Sequence, residues 1–445
     1  MTHPVTERRR AARHRWAVLA IVLVVAGLAR FLQVSTGVAD ERRGERDPAP
    51  GSSTTARATA PTTQSRRAER ATERRAERPP RDLLRGLDPR RHEPSGDERV
   101  SPLTEGRRAV LTLEPGLQEH LEQELARYAV PYGAVVAMEP STGRVLAYVS
   151  HSSANPDAGD LVLDPTPPTA SVFKVITGAA LVDAGVSPST NVCYTGGGSR
   201  LTAWHLDDHD REASCHTLAQ AMGHSTNAVF AKLADRHLDA PTIERYAAAF
   251  GFGHALPFDV PTRPSPAEVP TERLELARTA AGFWHMHMSP IHAALIASTI
   301  ANDGRMPRAA IVDRVEAPSG EVLMRHEPSI FREVIPRSTA RAVNQMMQLT
   351  VTEGTARRTF VDPQGRPFLP GIAIAGKTGT LSAERPYRGY TWWVGFAPAE
   401  RPTIAVAAVV VNTPLWRIKA SHVAREALRW YLVENAATRA TPTGG

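Results

Sequence analysis

Hydrophobic positions follow three different regimes along the 445 residues of this chain. Trp16–Ala29 is one apolar run, carried past Arg30 by Phe31 and Leu32. Residues 40–105 are rich in Arg, Glu, Ala, Pro, Ser and Thr, with almost no aromatic residues. From about Arg107 onward the pattern becomes regular. Ala109–Leu113 reads as a short strand, and Leu117–Tyr128 carries apolar residues at helical spacing, with Pro115 near its start. Ala134–Met138 and Val145–Val149 read as strands joined by the turn Pro140-Ser141-Thr142-Gly143.

A Pro-rich loop, Asp164–Pro168, leads into a helix over about 170–184 that Gly185 stops. The middle predicts helices over about 217–236, 242–250, 274–284 and 290–302. A β-like stretch, Ala309–Leu323, precedes a helix over about 338–352. Strands return at Ile372–Thr380, Thr391–Phe396 and Ile404–Val411, and a last helix covers about 420–434. Strands at both ends with helices between them predict one α+β domain whose sheet is built from the two chain ends.

Charge changes the picture of the N-terminal part. Residues 1–100 carry 21 Arg and 13 acidic residues, whereas residues 101–445 carry 32 basic and 33 acidic ones. The high pI therefore belongs to the N-terminal arm, and the folded part lacks the basic excess of a nucleic-acid footprint. Arg8, Arg9, Arg10, Arg13 and Arg15 precede the apolar run and place the N-terminus in the cytoplasm by the positive-inside rule. The run is slightly short for a span, and Arg30 can snorkel to the far headgroups. Two readings stand: an uncleaved anchor over 16–34, which the interrupting Arg30 favours, and a signal peptide cut near Gly37-Val38-Ala39. Either exports the remainder. Segments such as Arg66–Arg81 bury too little apolar surface to offset ordering entropy, so 35–105 reads as a disordered, extended tether.

The exported part holds both cysteines, Cys193 and Cys215. An oxidising compartment permits a disulfide worth roughly 3 kcal/mol in the chain-entropy model, against the alternative of two inert buried thiols. Two His-containing stretches, one with His205, Asp207, Asp208, His209 and Asp210, the other with His285, His287 and His292, lack a clean zinc-ligand spacing.

Lysine is scarce, with four against forty-nine arginines. A GC-rich genome would give such a bias in general. The positions of two of the four do not follow from it. Ser171-Val172-Phe173-Lys174 opens its predicted helix, and i, i+3 neighbours share a face. An amine beside a hydroxyl is the base-and-nucleophile relation of acyl transfer, and Arg cannot replace it because it keeps its proton. A helix start adds positive potential for an oxyanion. Ser225-Thr226-Asn227 supplies a hydroxyl for proton relay and an amide for a substrate carbonyl. By itself it is equally an N-cap of the helix that follows. Lys377-Thr378-Gly379-Thr380 ends the apolar stretch Ile372–Gly376, bringing a cation, two hydroxyls and a glycine that admits close backbone approach, or else a plain strand-ending turn.

The three motifs in this order match the set of penicillin-binding proteins and class A β-lactamases. The chain resembles the transpeptidase domain of penicillin-binding proteins over about 106–436, with support from Gly133–Ser150, Ser289–Gly304, Thr352–Ala356 and Trp392–Pro398. The resemblance implies a membrane-anchored, monofunctional peptidoglycan D,D-transpeptidase with an extracytoplasmic catalytic domain on the bacterial inner membrane. It divides the chain into a basic tail (1–15), an anchor (16–34), a linker (35–105), the catalytic domain (106–436) and a tail (437–445). Ser171 would attack the penultimate D-Ala carbonyl of a stem peptide and Lys174 would take its proton. Ser225 and Asn227 would relay protons and hold the peptide, and Lys377, Thr378 and Thr380 would bind the terminal carboxylate beside Gly379. The Ser171 and Thr380 N–H groups would form the oxyanion hole. β-Lactams would acylate Ser171, a separate glycosyltransferase would make the glycan, and no metal or organic cofactor follows. Gly282-Phe283-Trp284-His285-Met286-His287-Met288 departs from the family's Gly-Gln-Gly before Ser-Pro. The same acyl-enzyme serves a D,D-carboxypeptidase or a β-lactamase. Glu268, Glu272 and Glu275 lack the loop pattern of a class A deacylating Glu, and Asn227 departs from class D. A β-lactam sensor of this fold would need a cytoplasmic signalling module, more than the fifteen residues before the anchor supply, and a wall scaffold would leave Ser171, Lys174 and Lys377 unexplained.

Overall fold

The computed structural model describes residues 82–435. The tail, the anchor and most of the linker assigned above lie outside them, as do residues 436–445. Among the described residues no helix is long and apolar enough to cross a membrane.

The main sheet has five antiparallel strands in the spatial order Ala375–Glu384, Tyr387–Ala397, Ile404–Asn412, Tyr132–Met138, Val145–His151. It does join the two chain ends, through pairs such as Ala408 with Val135. Both faces are covered, which is why Ile404–Val411 reads as an unbroken apolar run rather than an alternation. Side chains still alternate between two cores. Val135, Ala137, Trp393, Val406 and Ala408 join the helices Pro115–Arg127 and Ala420–Arg429 on one face. Ala134, Val136, Trp392, Val394 and Ala407 face the other core with helix Pro290–Ala301, every residue of which through Ile300 is buried. At about 1.5–3 kcal/mol for each large apolar side chain buried, these two layers supply the dominant stabilising term.

The helical region between the sheet halves contains Lys174–Asp183, Leu218–His224, Asn227–His237, Ala240–Ala249 and Arg273–Ala280. The single helix expected over 217–236 is two. Ser225 adopts φ 58°, ψ 39°, the left-handed conformation that ends a helix, so the chain restarts at Asn227 in a new direction. Period alone does not show this break, because the apolar residues of both halves meet one core.

A second five-stranded sheet corrects the linker boundary. Its order is Glu93–Ser95, Glu98–Pro102, Arg108–Leu111, Val312–Glu316, Val322–Arg325. The first two strands lie within residues 35–105, where composition predicted a disordered tether. Local composition misled because the order is supplied from afar. Arg314 grips Glu98 with two bonds of 2.7 and 2.8 Å and Glu316 with one of 2.7 Å, and Leu84 and Leu103 are buried in the core.

Candidate active site

Pro168 and Thr169 reach the site as an anchored strap. Trp392 Nε1 donates to the Pro168 carbonyl at 2.8 Å, and the Thr169 N–H to the Met286 carbonyl at 2.9 Å. The next residues, Ala170–Phe173, form a 3-10 turn that runs into the helix Lys174–Asp183. Ser171 is half-buried on this turn, and Lys174 beneath it is fully buried. Lys174 Nζ lies within hydrogen-bond distance of Ser171 Oγ at 3.0 Å, Asn227 Oδ1 at 2.6 Å and the Ala281 carbonyl at 2.5 Å. A neutral amine thus donates to the two carbonyl oxygens and turns its lone pair to the Ser171 hydroxyl; it lies 5.5 Å from the centre of the Phe230 ring. The break at Ser225 is what puts Asn227 at the head of its helix, aimed at this amine. Asn227 Nδ2 in turn donates to the Gly198 carbonyl at 2.5 Å.

The second lysine arrives from the edge strand Ala375–Glu384. Lys377 Nζ donates to Ser225 Oγ at 2.9 Å and to the Thr378 carbonyl at 2.7 Å. Thr378 Oγ1 shares a 2.6 Å hydrogen bond with Thr355 Oγ1. Gly379 lies against the serine turn, where an added Cβ would stand 3.1 Å from Ala170 Cβ. Thr380 follows, exposed on the strand edge and paired with Thr391. The two motifs and Lys377 therefore form one constellation: Lys174 links Ser171 to Asn227, and Lys377 holds Ser225.

Electrostatics divides the two amines. Burial pushes Lys174 well below the usual lysine range, and the charge of Lys377 pushes it further. Burial brings Lys377 down to about 7. Two cations cannot both be kept in a shared dry site, so the favoured state is a neutral Lys174 beside a Lys377 that retains its proton below about pH 7. A neutral amine on a serine hydroxyl is a general base in place, and a cation on a second hydroxyl can attract an anion and pass a proton.

Cys193 and Cys215 are paired directly across the hairpin of Asn191–Tyr194 with Ser214–Thr217 and joined by a disulfide. Their loop contains Gly198 and so supports Asn227 from behind. A third of the four lysines, Lys232, is also buried, and donates to the Cys193 carbonyl at 3.0 Å and to Glu212 at 2.7 Å. It fastens this hairpin to the Asn227 helix, a structural use that its scarcity did not signal. Among the described residues no group of three His, Cys, Asp or Glu side chains could hold a metal ion. His209 instead stacks on Trp204, His285 meets Glu275 at 3.1 Å, and buried His292 meets Ser265 at 2.7 Å.

Sequence motifs did not single out the Ala281 and Gly198 carbonyls, nor Gly282. Gly282 has φ +80°, and a Cβ there would lie 2.3 Å from the Ala170 oxygen and 2.9 Å from Ser171 Cα. The one available signal was its place at the head of the stretch that departs from the family pattern.

The model of the penicillin-binding protein transpeptidase domain matches residues 133–430. The chain belongs to this family. It is 29% identical over 320 residues to peptidoglycan D,D-transpeptidase PbpA of Mycobacterium tuberculosis, a match covering 63% of this chain and 62% of that protein. It is 26% identical over 349 residues to stage V sporulation protein D of Bacillus subtilis, covering 72% of this chain and 52% of the relative. The chain thus spans between about half and two thirds of the length of these two relatives. Among solved structures, the D,D-transpeptidase domain of a peptidoglycan glycosyltransferase from Eggerthella lenta matches at TM-score 0.61 and 26% identity, over 74% of this chain and 84% of that one. The penicillin G acyl-enzyme complex of penicillin-binding protein A from M. tuberculosis matches at TM-score 0.56 and 25% identity, over 74% and 80%.

In this chain a side chain at Gly282 would press into the serine turn. Gly282→Ala is expected to slow acylation by benzylpenicillin at least about tenfold and to cost about 1–3 kcal/mol of stability, since both the positive φ and the contact with the Ser171 backbone oppose a Cβ. Stopped-time intact-mass measurements and thermal unfolding check the two effects. Wild-type values for both would mean that the Gly282 contact does not position the serine.

Proposed function

We propose that this protein is a serine-type peptidoglycan D,D-transpeptidase, anchored in the bacterial inner membrane by residues 16–34, with its catalytic domain outside the cytoplasm. The observation that carries the reading is the buried amine of Lys174 at 3.0 Å from Ser171 Oγ, opposite Lys377 on Ser225 Oγ.

In this reading the terminal carboxylate of a stem peptide docks at Lys377, Thr378 and Thr380. The Ser171 oxygen attacks the penultimate D-Ala carbonyl while its proton passes to Lys174. The Ser171 and Thr380 N–H groups stabilise the oxyanion. Collapse breaks the D-Ala–D-Ala bond, and the departing amine takes a proton through Ser225, leaving an ester on Ser171. An amine of a neighbouring stem then attacks that ester, returns a proton to the lysine–serine system and forms the cross-link. Asn227 keeps Lys174 aligned and holds the peptide. β-Lactams enter as mimics of the donor, and a separate glycosyltransferase supplies the glycan strands.

The test supplies the full chain with a stem-pentapeptide donor and an amine acceptor and follows products by mass spectrometry. Transfer product together with D-Ala release supports the transpeptidase. D-Ala release with hydrolysis alone, at every acceptor concentration, replaces it with a D,D-carboxypeptidase. Rapid benzylpenicillin turnover without peptide chemistry replaces it with a β-lactamase.

A further inference from the structure

Ser225 reaches Lys377 from a strained backbone. With φ 58° and ψ 39° it sits in the left-handed region, which a residue with a Cβ enters only at a cost. The turn itself is held by two backbone bonds, from the Ser225 N–H to the Met222 carbonyl at 3.3 Å and from the Thr226 N–H to the Ala221 carbonyl at 2.9 Å. Neither of them places the side chains on either side of Ser225.

Those side chains converge on one imidazole. His216 Nδ1 shares a 2.8 Å hydrogen bond with Thr226 Oγ1, and the His216 ring stacks on the His224 ring at 5.0 Å between centres and 21° between planes. His224 and Thr226 are the two residues that flank Ser225. Thr226 is also the N-cap of the helix Asn227–His237, where a threonine ordinarily turns its hydroxyl to the free helix N–H groups. Among the described residues this hydroxyl makes no such bond, and it is turned to His216 instead.

His216 is itself firmly placed. It pairs with Val192 in the hairpin, and the next pair along is the disulfide Cys193–Cys215. Alternation puts His216 on the face opposite Cys215 and on the same face as Tyr194, whose hydroxyl lies 3.2 Å from Nδ1. The following residue, Thr217, caps the helix Leu218–His224 by accepting the Gln220 N–H at 3.1 Å. One strand therefore fixes the start of the helix that ends at Ser225 and the imidazole beside that end.

We infer that His216 is a positioning residue for the reaction: through Thr226 and His224 it holds Ser225 where its hydroxyl can pass a proton to the departing amine. This rests on the transpeptidase reading, in which Ser225 performs that step.

The experiment gives the full chain two donors with the same acyl part. One is the D-Ala-D-Ala peptide, whose amine must collect a proton as it leaves. The other is a thioester, which expels a thiolate that needs none. The readout is kcat/KM, which reports acylation, normalised to the fraction of each preparation that benzylpenicillin labels. Thr226→Val, close in shape but without the hydroxyl, is expected to slow the peptide donor by about 10- to 100-fold and the thioester by less than about twofold. His216→Phe, which keeps a ring against His224, is expected to do the same. His216→Asn, which keeps a polar atom near the place of Nδ1, is expected to recover much of the rate. The double variant is expected to be no slower than either single one, because both remove the same bond. Wild-type use of the peptide donor by Thr226→Val, or equal slowing of both donors in Thr226→Val and His216→Phe, overturns the positioning role and leaves the transpeptidase in place. Absence of D-Ala release from benzylpenicillin-reactive wild type overturns the transpeptidase reading and this inference with it.

Discussion

Ser171→Ala is expected to leave no covalent adduct after incubation with benzylpenicillin, under conditions in which the wild type is fully labelled. The hydroxyl is the only atom of this side chain that bonds Lys174, and it stands on a turn whose position is set by other groups. The Trp392–Pro168 and Thr169–Met286 hydrogen bonds, and the packing of Gly282 on Ala170, survive the substitution. The fold should therefore persist, with a melting temperature within a few degrees of wild type, since removing one half-buried hydroxyl costs on the order of 1 kcal/mol. Chemistry should not persist. A covalent mechanism without its nucleophile loses on the order of 10⁴-fold or more. Intact mass of the full chain decides the matter. An adduct of undiminished yield on the variant would remove Ser171 from the mechanism.

The second large effect is Lys174→Arg, expected to slow acylation by roughly 10³- to 10⁴-fold at pH 7. The proposed mechanism needs a neutral amine, and burial favours one by lowering the Lys174 pKa. A guanidinium retains its charge at any usable pH, so it cannot accept the Ser171 proton. Its planar fork also does not fit a pocket shaped for a single nitrogen between Ser171, Asn227 and the Ala281 carbonyl. The pH profile separates the two lysines. In the proposed mechanism Lys174 acts unprotonated, so acylation should fall as pH drops through its depressed pKa. In the same mechanism Lys377 acts as a cation, so binding of the carboxylate should weaken as pH rises through about 7. Wild-type acylation efficiency should therefore decline on the alkaline side from about pH 7, and Lys377→Arg should flatten that limb while keeping the acid one. Rates for Lys174→Arg close to wild type would assign the base elsewhere.

The legible part of this protein is the part governed by neighbours in sequence. Ser171 and Lys174 meet because i and i+3 share a face of any helical turn, α or 3-10. Lys377, Thr378 and Gly379 follow from a strand, since alternation sends Lys377 and Gly379 to the same side. The main sheet was readable because apolar runs such as Ile404–Val411 belong to strands covered on both faces. The hairpin that aligns Cys193 with Cys215 was not, and the two cysteines alone left a disulfide and free thiols equally open.

What the tertiary structure decided concerns groups brought together across long separations. Ser225 and Asn227 act on different lysines because a left-handed residue breaks a helix that periodicity draws as continuous. The Ala281 and Gly198 carbonyls carry no side-chain signature, yet they fix Lys174 and Asn227. Strand Glu98–Pro102 looked like linker because its stabilising partners, Arg314 and Val110, lie in other segments. The burial that separates Lys174 from an ordinary lysine is likewise a property of the packed core. Periodicity and spacing are local and can be read from one chain. Desolvation, helix breaks stabilised by distant contacts and backbone acceptors depend on the whole fold, and so only the fold shows them.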